Sequence, residues 1–494
     1  MDDLSRAVHG LLVPGFDAPP DRLPPWVPRR LERGLAGVVL FARNVGPDIR
    51  ALTDAVRSVR PTALVAVDEE GGDVTRLEAA TGSRHPGALA LGALDDVEAT
   101  RSVSASVGAM LDSAGIDWSW APVADLTTDP RNPVTGVRSF GVDPPAVGRH
   151  VAASVHGLQE DAGILACAKH FPGHGDTAVD SHLGLPTVAA TRAELDAGAL
   201  VPFRSAIGAG VASIMTGHLR MLGLDPDRVT TFSPVVLRSL LRDELGFTGV
   251  VVSDALEMRG ATTGHGIGEA AVLAVRAGVD ALCLGGHLAD DDVVALVHGA
   301  LVDAVRAGEL DEARVVDAAS RVTALAERRR ALRRAAYDEA GSLHAALDDD
   351  ACVAIARRTL HVTGAIGLGS GPVHVITCSP SPSIPAGTVP WGICDALRRC
   401  RDDVEEVLVA EHHPALDVPT DGSVVLVLRD AARHAWQRET EAVVVAARPD
   451  VVVVELGLPA VPAPTNAARI TAYGASRSSA TAVVELLTHH EGRP

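Results

Sequence analysis

Lysine is almost absent from this sequence: Lys169 is the only one among 494 residues, and the other 43 basic residues are arginine. A chain with this bias places arginine wherever a flexible cation is enough. The compact ammonium of lysine differs from the planar, fork-shaped guanidinium, so the single lysine indicates a position where a guanidinium does not fit. The residues that follow it are dense in proton-transfer and hydrogen-bonding groups, namely His170, His174, Asp176, Asp180 and His182. Loops with such a composition commonly carry function.

Aromatic residues are also scarce, at 3% against 47% hydrophobic residues, which indicates globular cores of Val, Leu and Ala. No run of about 18 apolar residues is present, so the sequence offers no membrane-spanning helix. The first residues are acidic, whereas a secretory signal peptide begins with basic ones. We therefore expect a cytoplasmic protein with no membrane partner, although an unusual export route stays open.

Basic residues are outnumbered by acidic ones, and the formal net charge is -19. Such a surface repels the phosphates of nucleic acids and anionic membranes, so we expect no nucleic-acid partner. The six cysteines form no C-x-x-C pair and show no zinc-finger spacing. Cys167 and Cys283 lie inside apolar runs, which favours buried free thiols in a reducing compartment.

The chain is too long for one ordinary domain, and two or three are expected. Its first two-thirds contains eight short apolar segments without strict alternation, which is typical of strands covered on both faces in a parallel sheet. These candidate strands are Leu11–Phe16, Gly37–Asn44, Ala63–Glu70, Ile116–Asp125, Ile164–His170, Ala212–His218, Gly249–Asp254 and Val279–Leu284. Segments with helical spacing separate them, so the pattern predicts a (β/α)8 TIM barrel.

Charged and polar groups follow five of these candidate strands. They are the segment 68–72, Asp125 with the segment 132–141, Lys169-His170, Thr216-Gly217-His218 and Ser253-Asp254. In a (β/α)8 barrel the carboxyl ends of the strands and the loops after them form the active site. Because charged groups at five strand ends are hard to explain by structure alone, we predict that they line one pocket.

The remaining third of the chain predicts a helix over Leu310–Ala336 and then a second α/β unit. Its arginine cluster, Arg328–Arg334, is expected to be a solvated helix face. Later strands are expected near Leu360–Thr363, Val373–Thr377, Val407–Ala410, Ser423–Leu428 and Val451–Val454. The tract 367–371 is Gly-rich but lacks the spacing of a dinucleotide-binding loop. We therefore predict a barrel domain over residues 1–336, a linker over 337–350 and a smaller αβα sandwich-like domain over 351–494.

Four segments in order resemble motifs of glycoside hydrolase family 3, and more narrowly its branch acting on β-N-acetylglucosaminides, which includes the peptidoglycan-recycling enzyme. They are KHFPGHGDTAVDSHLGLP at 169–186, DEEGG at 68–72, NPVTGVRSFG at 132–141 and SDALEM at 253–258. The resemblance covers the barrel and, more weakly, the C-terminal domain. It implies a retaining β-N-acetylhexosaminidase that takes a small carbohydrate substrate, needs no cofactor or metal, and is a monomer or homodimer.

The resemblance also implies the catalytic residues. Asp254 matches the family nucleophile, which forms a covalent glycosyl intermediate. Asp180 and His182 match a His–Asp dyad that replaces the usual carboxylic acid as proton donor. The chemistry agrees with these roles, because an imidazole with a pKa of about 6.5 both donates and accepts protons near neutral pH, and a neighbouring carboxylate orients it.

Further positions match residues that hold the sugar in the -1 subsite: Asp68, Arg76, Arg138, Lys169 and His170. Asp125 and His218 are expected to contact these residues rather than the sugar itself. Met258 is expected to line the pocket for the N-acetyl group. His174 and Asp176 are expected to shape the loop. The sequence departs from the family pattern at Glu69-Glu70, Asp73 and Ala255, which leaves the preferred aglycone open.

Three other functions stay compatible with these residues. An imidazole repels an incoming anion less than a carboxylate would, so phosphate is an alternative to water as the acceptor. With phosphate as the acceptor, the protein would be an N-acetylglucosaminide phosphorylase. The histidines and aspartates of 170–182 are a conceivable zinc site, although no known ligand spacing is present. A catalytically inactive sugar-binding protein is the third. The natural substrate, whether a muropeptide, a chitooligosaccharide or a glycoconjugate, is left undecided.

Overall fold

The computed structural model describes residues 2–285, 290–340, 346–411 and 416–488. They form two compact units. The first unit comprises residues 1–70, 100–126 and 142–346, and the second comprises residues 71–99, 127–141 and 347–494. The predicted boundaries therefore differ from these units by two internal segments, and they stay a prediction. The predicted linker lies partly outside the described residues.

Eight short strands of the first unit each overlap one of the eight predicted strands. They are β1 (Leu12–Pro14), β2 (Gly37–Leu40), β3 (Leu64–Val67), β4 (Trp118–Ser119), β5 (Cys167–Phe171), β6 (Ser213–Thr216), β7 (Val250–Ser253) and β8 (Leu282–Leu284). All of these strands are buried along their whole length. Burial on both faces explains why they are rich in Val, Ile, Leu and Ala and do not alternate with polar residues.

The strands pair in parallel and in chain order, as a (β/α)8 barrel requires. The strands β2, β3 and β4 form one ladder, β5, β6 and β7 form a second, and β8 pairs with β1. Single parallel bridges connect Trp118 to Leu165 and Val252 to Ala281. The amide of Ala36, just before β2, donates to the carbonyl of His9, just before β1. The predicted TIM-barrel fold is confirmed.

Helices separate the strands. They are α1 (Asp3–His9), α2 (Trp26–Glu32), α3 (Ile49–Val59), α4 (Ala88–Leu94), α5 (Val97–Ser113), α6 (Pro144–His156), α7 (Arg192–Ala197), α8 (Leu200–Gly208), α9 (Arg259–Thr262), α10 (Ile267–Ala277), α11 (Asp291–Arg306), α12 (Glu312–Ala340), α13 (Asp349–Thr359), α14 (Cys394–Arg398), α15 (Ala435–Ala447) and α16 (Arg477–Thr488). Gly157–Asp161 and Val235–Glu244 form π-helical turns, Ala42–Asn44, Gly136–Arg138 and Thr230–Phe232 form 3-10 turns, and Thr187–Val188 pairs with Arg220–Met221. No helix in the described ranges is long and apolar enough to cross a bilayer.

Helix α12 covers the end of the barrel at which the strands begin. Its residues Val322, Leu325 and Ala326 share one buried cluster with Ala36 and Leu64, which lie at the starts of β2 and β3. The helix was predicted, but its arginines are not a uniformly solvated face. Arg329 is only 5% exposed, because it is drawn into ion pairs on the barrel side of the helix. That part of the prediction is wrong.

The second unit is built on a six-stranded sheet in the order β9-β14-β13-β12-β10-β11. These strands are β9 (His361–Thr363), β10 (Val373–Cys378), β11 (Val404–Val409), β12 (Ser423–Leu428), β13 (Val452–Glu455) and β14 (Ala468–Thr471). Only the β9–β14 pair is antiparallel. The sheet carries an apolar cluster on each face. Five of these strands were predicted from the sequence, but β14, whose residues include a charged Arg469, was not.

Candidate active site

The single lysine lies in β5, buried between two carboxylates that follow β3. Its Nζ is 2.6 Å from Oδ1 of Asp68 and 2.7 Å from Oε1 of Glu70. The lysine side chain is 1% exposed, whereas that of Asp68 is 21% exposed. A compact ammonium therefore serves two acids at once, and Asp68 is the member of the trio that solvent reaches. This arrangement explains why a guanidinium, which is larger and planar, does not take this position.

His170, the next residue along β5, is held by the buried carboxylate of Asp125. Its Nδ1 lies 2.7 Å from Oδ2 of Asp125, and its backbone amide donates to Oδ1 of the same side chain. The amide of His174 also donates to Asp125, at 2.7 Å. Burial raises the pKa of Asp125, but these histidines outweigh burial and the net pKa lies below its usual value. Asp125 thus orients His170 and the start of the following loop.

Asp254 follows β7 and is partly exposed. Its Oδ1 accepts a hydrogen bond from the amide of Ala255 at 2.8 Å. Burial raises the pKa of the Asp254 carboxyl, but the charges of His170 and His218 outweigh it, and the net pKa lies below its usual value. His182 contributes an effect of the same sign. A carboxylate that is ionised at neutral pH has the charge state that a nucleophile needs.

The dyad residues Asp180 and His182 lie on the loop after β5 and contact each other. Oδ1 of Asp180 is 2.7 Å from Nδ1 of His182 and also accepts the backbone amide of His182 at 2.8 Å. Burial raises the pKa of Asp180, but the hydrogen bonds from His182 outweigh it and the net pKa is lowered. Asp180 therefore fixes the orientation of the His182 ring through Nδ1.

Two contacts of Ser181, the residue before His182, attach this loop to the rest of the first unit. The hydroxyl of Ser181 is 3.0 Å from Nε2 of His174, and the carbonyl of Ser181 accepts the amide of Gly260, 3.0 Å away. Burial and the charge of His170 lower the pKa of His174 to about 4, so its ring is neutral near pH 7. Ser181 therefore links the loop that carries His182 to the segment that follows Asp254.

His218 and Met258 are buried next to the segment of Asp254. Nε2 of His218 donates to the carbonyl of Ala255 at 3.2 Å, and its Nδ1 is 2.8 Å from the hydroxyl of Thr231. Burial lowers the pKa of His218. A β-carbon on Gly260 would lie 2.8 Å from the carbonyl oxygen of His218, so this position requires glycine.

Arg76 and Arg138, also predicted to bind sugar, belong to the second unit. Arg76 donates to the carbonyl of Pro385 at 2.7 Å. Arg138 is 9% exposed and donates to the carbonyl of Val134 at 2.8 Å. Arg138 lines a pocket of this unit together with Asp73, Asn132, Arg429 and Arg433.

Asp73, one of the positions that depart from the family pattern, forms an ion pair within the second unit. Oδ2 of Asp73 is 2.7 Å from Nη2 of Arg429, whose guanidinium lies 4.8 Å from the ring centre of Trp391. The other oxygen of Asp73 accepts the amide of Ala475 at 2.8 Å. Asp73 therefore binds the segment 71–99 to the sheet-containing part of the second unit.

Sequence reasoning missed several functional contacts. Glu70 was noted only as a departure from the family motif, and its pairing with Lys169 depends on a contact between distant strands. Ser181 stood between the dyad residues without a role, and Arg429 carried no motif at all. Among the described residues, no three His, Cys, Asp or Glu side chains are arranged to hold a metal ion. Of the predicted site residues, Asp68, Lys169, His170, Asp180, His182 and Asp254 lie in the first unit.

Comparisons with known proteins agree on one relationship. The family model of the glycosyl hydrolase family 3 N terminal domain matches residues 30–325. A beta-hexosaminidase of Alkalilimnicola ehrlichii is 40% identical over 261 residues, which cover 51% of this chain and 74% of that protein. Beta-hexosaminidase A of Pseudoalteromonas piscicida is 37% identical over 283 residues, 52% of this chain and 47% of the relative. This chain thus spans about half the length of the latter protein.

A solved structure extends the similarity beyond the barrel. A glycoside hydrolase family 3 beta-N-acetylglucosaminidase from Paenibacillus sp. str. FPU-7 matches with a TM-score of 0.86 and 30% sequence identity. The match covers 99% of this chain and 97% of the other chain. The second unit therefore has a counterpart in that protein as well.

Proposed function

Since this chain belongs to glycoside hydrolase family 3 and is a glycoside hydrolase similar to beta-hexosaminidases, we propose that it hydrolyses terminal N-acetyl-β-glucosaminides with retention of configuration. The observation that carries the proposal is the hydrogen bond between the loop of His182 and the segment after Asp254, in which the amide of Gly260 donates to the carbonyl of Ser181 at 3.0 Å. The charge of His182 also contributes to lowering the pKa of Asp254.

In the first step an oxygen of Asp254 attacks the anomeric carbon as the bond to the aglycone oxygen breaks. Nε2 of His182 donates its proton to that oxygen, which leaves as an alcohol. In the second step His182 takes a proton from water, the water oxygen attacks the anomeric carbon, and the carboxylate of Asp254 is released. Asp180 stays ionised throughout and stabilises the imidazolium.

The sugar in the -1 subsite would be held by Asp68 and His170, at the ends of β3 and β5 of the first unit. The sugar-binding roles of Arg76 and Arg138 stay predictions from the sequence. Lys169 is almost fully buried and paired to Asp68 and Glu70. We assign it the role of neutralising these acids and fixing Asp68, so that one oxygen of Asp68 faces a sugar hydroxyl. Muropeptide fragments and chitooligosaccharides, both of which carry terminal N-acetylglucosamine, are the proposed substrate classes.

The first test compares the native chain with Asp254→Asn and His182→Ala on an aryl N-acetyl-β-glucosaminide. Asp254→Asn should lower kcat by roughly 10⁴-fold or more, as loss of a nucleophile does elsewhere. His182→Ala should lower it by roughly 10²–10⁴, the range of general acid–base groups. With a good leaving group, His182→Ala should also accumulate a covalent adduct on Asp254, detectable by intact mass. Asp303→Asn, an exposed change of the same kind on α11, is the control and should leave turnover unchanged.

A native rate in Asp254→Asn would refute the proposed nucleophile. The acceptor is tested separately by identifying the product in the presence and absence of phosphate. Free N-acetylglucosamine under both conditions supports hydrolysis, whereas N-acetylglucosamine 1-phosphate would show that phosphate is the acceptor. Turnover that is lost after exhaustive chelation would instead favour the metal-dependent alternative.

A further inference from the structure

A second charged cavity lies in the first unit, at the end of the barrel opposite to the catalytic residues. It has a volume of about 200 Å³. Its walls come from α3, from the segment before β3, from the segment before β4 and from α12. The lining residues with charged side chains are Arg50, Arg57, Asp112, Asp117, Arg329, Arg330 and Arg333. Since Leu64 begins β3, this cavity is located where the strands start.

The cavity is strongly cationic although the whole chain carries a net charge of -19. Five arginines and two aspartates line it. One further carboxylate, that of Asp54, lies beside the rim and pairs with Arg50 at 2.9 Å and Arg57 at 3.7 Å. Even when Asp54 is included, the arginines outnumber the acids by two. A local excess of positive charge in an acidic protein needs either an anionic partner or exposure to water.

Arg329 is buried at the base of this cavity, with 5% of its surface exposed. Its Nη2 donates to Oδ1 of Asp112 at 2.7 Å, and its Nε lies 3.5 Å from Oδ1 of Asp117. Within the described part of the chain, Nη1 of Arg329 is buried and makes no hydrogen bond, and Nε has only its ion pair with Asp117. Buried donors without an acceptor are costly and uncommon in native proteins. The geometry therefore leaves room for an acceptor that the chain itself does not supply.

Arg330 and Arg333, which also line the cavity, add to its positive charge. Arg330 is exposed, and Nη2 donates to the carbonyl of Pro61 at 2.9 Å. Across the described residues, Arg330 forms no ion pair with a carboxylate. Arg333 pairs with Asp112 through Nε at 2.8 Å, and the arginines around Asp112 hold the pKa of that carboxyl low despite its burial. Asp112 is thus shared by two arginines and cannot neutralise all the charge.

We propose that this cavity is a binding site for a small phosphate-bearing anion, either inorganic phosphate or the phosphate group of a monoester. Guanidinium groups match phosphate oxygens through paired hydrogen bonds, and a charge near -2 offsets the excess of two positive charges. The volume admits a phosphate with a small organic group and excludes a macromolecule. Because substrates of (β/α)8 enzymes bind at the carboxyl ends of the strands, this site is separate from the proposed catalytic centre.

The test measures binding of inorganic phosphate and of glycerol 2-phosphate to the full-length chain by calorimetry, with ionic strength held constant by sodium chloride. We expect saturable binding with a Kd below about 1 mM and a rise in Tm that grows with ligand concentration. Arg330→Gln, which removes an exposed donor, should raise Kd at least about tenfold. Tighter binding of glycerol 2-phosphate than of phosphate would identify a monoester as the ligand, and the reverse order would identify free phosphate.

Two control variants test whether the anion binds in this cavity. Arg334→Gln removes an exposed arginine of the same helix that does not line the cavity, and it should leave Kd unchanged. Asp254→Asn should also leave it unchanged, whether or not the proposed hydrolysis is correct. Absence of saturable binding, equal loss in Arg330→Gln and Arg334→Gln, or displacement of phosphate by N-acetylglucosamine would each overturn the proposal.

Discussion

Lys169 shows how the choice of residue type at one position is tied to its contacts. The composition marked it as exceptional, and the structure places its ammonium within 2.7 Å of two carboxylates, those of Asp68 and Glu70. A buried cation between two acids is a strict arrangement, because removing one partner leaves uncompensated charge away from water. The one lysine of the sequence therefore lies at a buried position where its ammonium contacts two carboxylates.

The first prediction concerns this position. Lys169→Arg should lower kcat/KM by roughly 10–10²-fold, because the larger fork displaces Asp68 from its place at the end of β3. Lys169→Met should lower Tm by more than Lys169→Arg does, since the methionine variant leaves two neighbouring carboxylates without a cation. Steady-state kinetics and thermal unfolding measure the two effects. A Lys169→Arg enzyme with native kcat/KM and Tm would show that a compact cation is not needed here.

The loop from Pro172 to Pro186 is the element on which the proposed mechanism depends most. It carries Asp180 and His182, and its position against the barrel depends on Gly175. A β-carbon on Gly175 would lie 1.4 Å from the carbonyl oxygen of Leu126, which is far inside any permitted contact. The close approach of the two backbones fixes the start of the loop relative to the barrel.

Gly175→Ala should therefore displace the loop and reduce kcat by at least about 10²-fold, because catalytic groups lose their alignment after shifts of about 1 Å. The fold of the barrel should persist, with a lower Tm. Gly208→Ala, at the end of α8, meets no atom within 4 Å of the added carbon and serves as the matched control with native activity. Equal kinetics of the two variants would contradict a role for the tight approach.

For the whole molecule, three buried histidines connect stability to pH. Burial lowers the pKa of His9 to about 4, of His85 to about 3 and of His174 to about 4, from the usual value of 6.5. Each of these rings is neutral in the folded chain at pH 6, whereas the unfolded chain binds protons there. Folding stability is therefore complete above about pH 6.5 and declines as pH falls toward 4.

We expect Tm to fall between pH 6.5 and pH 4.5, with each histidine contributing up to about 1 kcal/mol of unfolding free energy per pH unit. His9→Gln should flatten this decline, because glutamine has no proton to bind. His361→Gln, at an exposed position of β9, should leave the slope unchanged. Calorimetric scans at several pH values measure it, and a Tm that stays constant over this range would contradict the assignment.

Much of the fold followed from local pattern. All eight barrel strands and five of the six strands in the second unit were predicted, because parallel strands buried on both faces leave a clear run of apolar residues. β14 was missed because a charged arginine interrupts it. Likewise, the arginines of α12 resembled a solvated surface, since nothing near them in sequence indicates Asp112 or Asp117.

The sequence by itself determined the barrel, the order of its four family motifs and the family to which they belong, since each depends on residues close together along the chain. Only the tertiary structure decided that Glu70 shares the ammonium of Lys169, that Asp73 binds Arg429, and that the segments 71–99 and 127–141 group with the second unit. The physical reason is that these contacts join residues far apart in sequence, and their strength depends on burial, which no local pattern records.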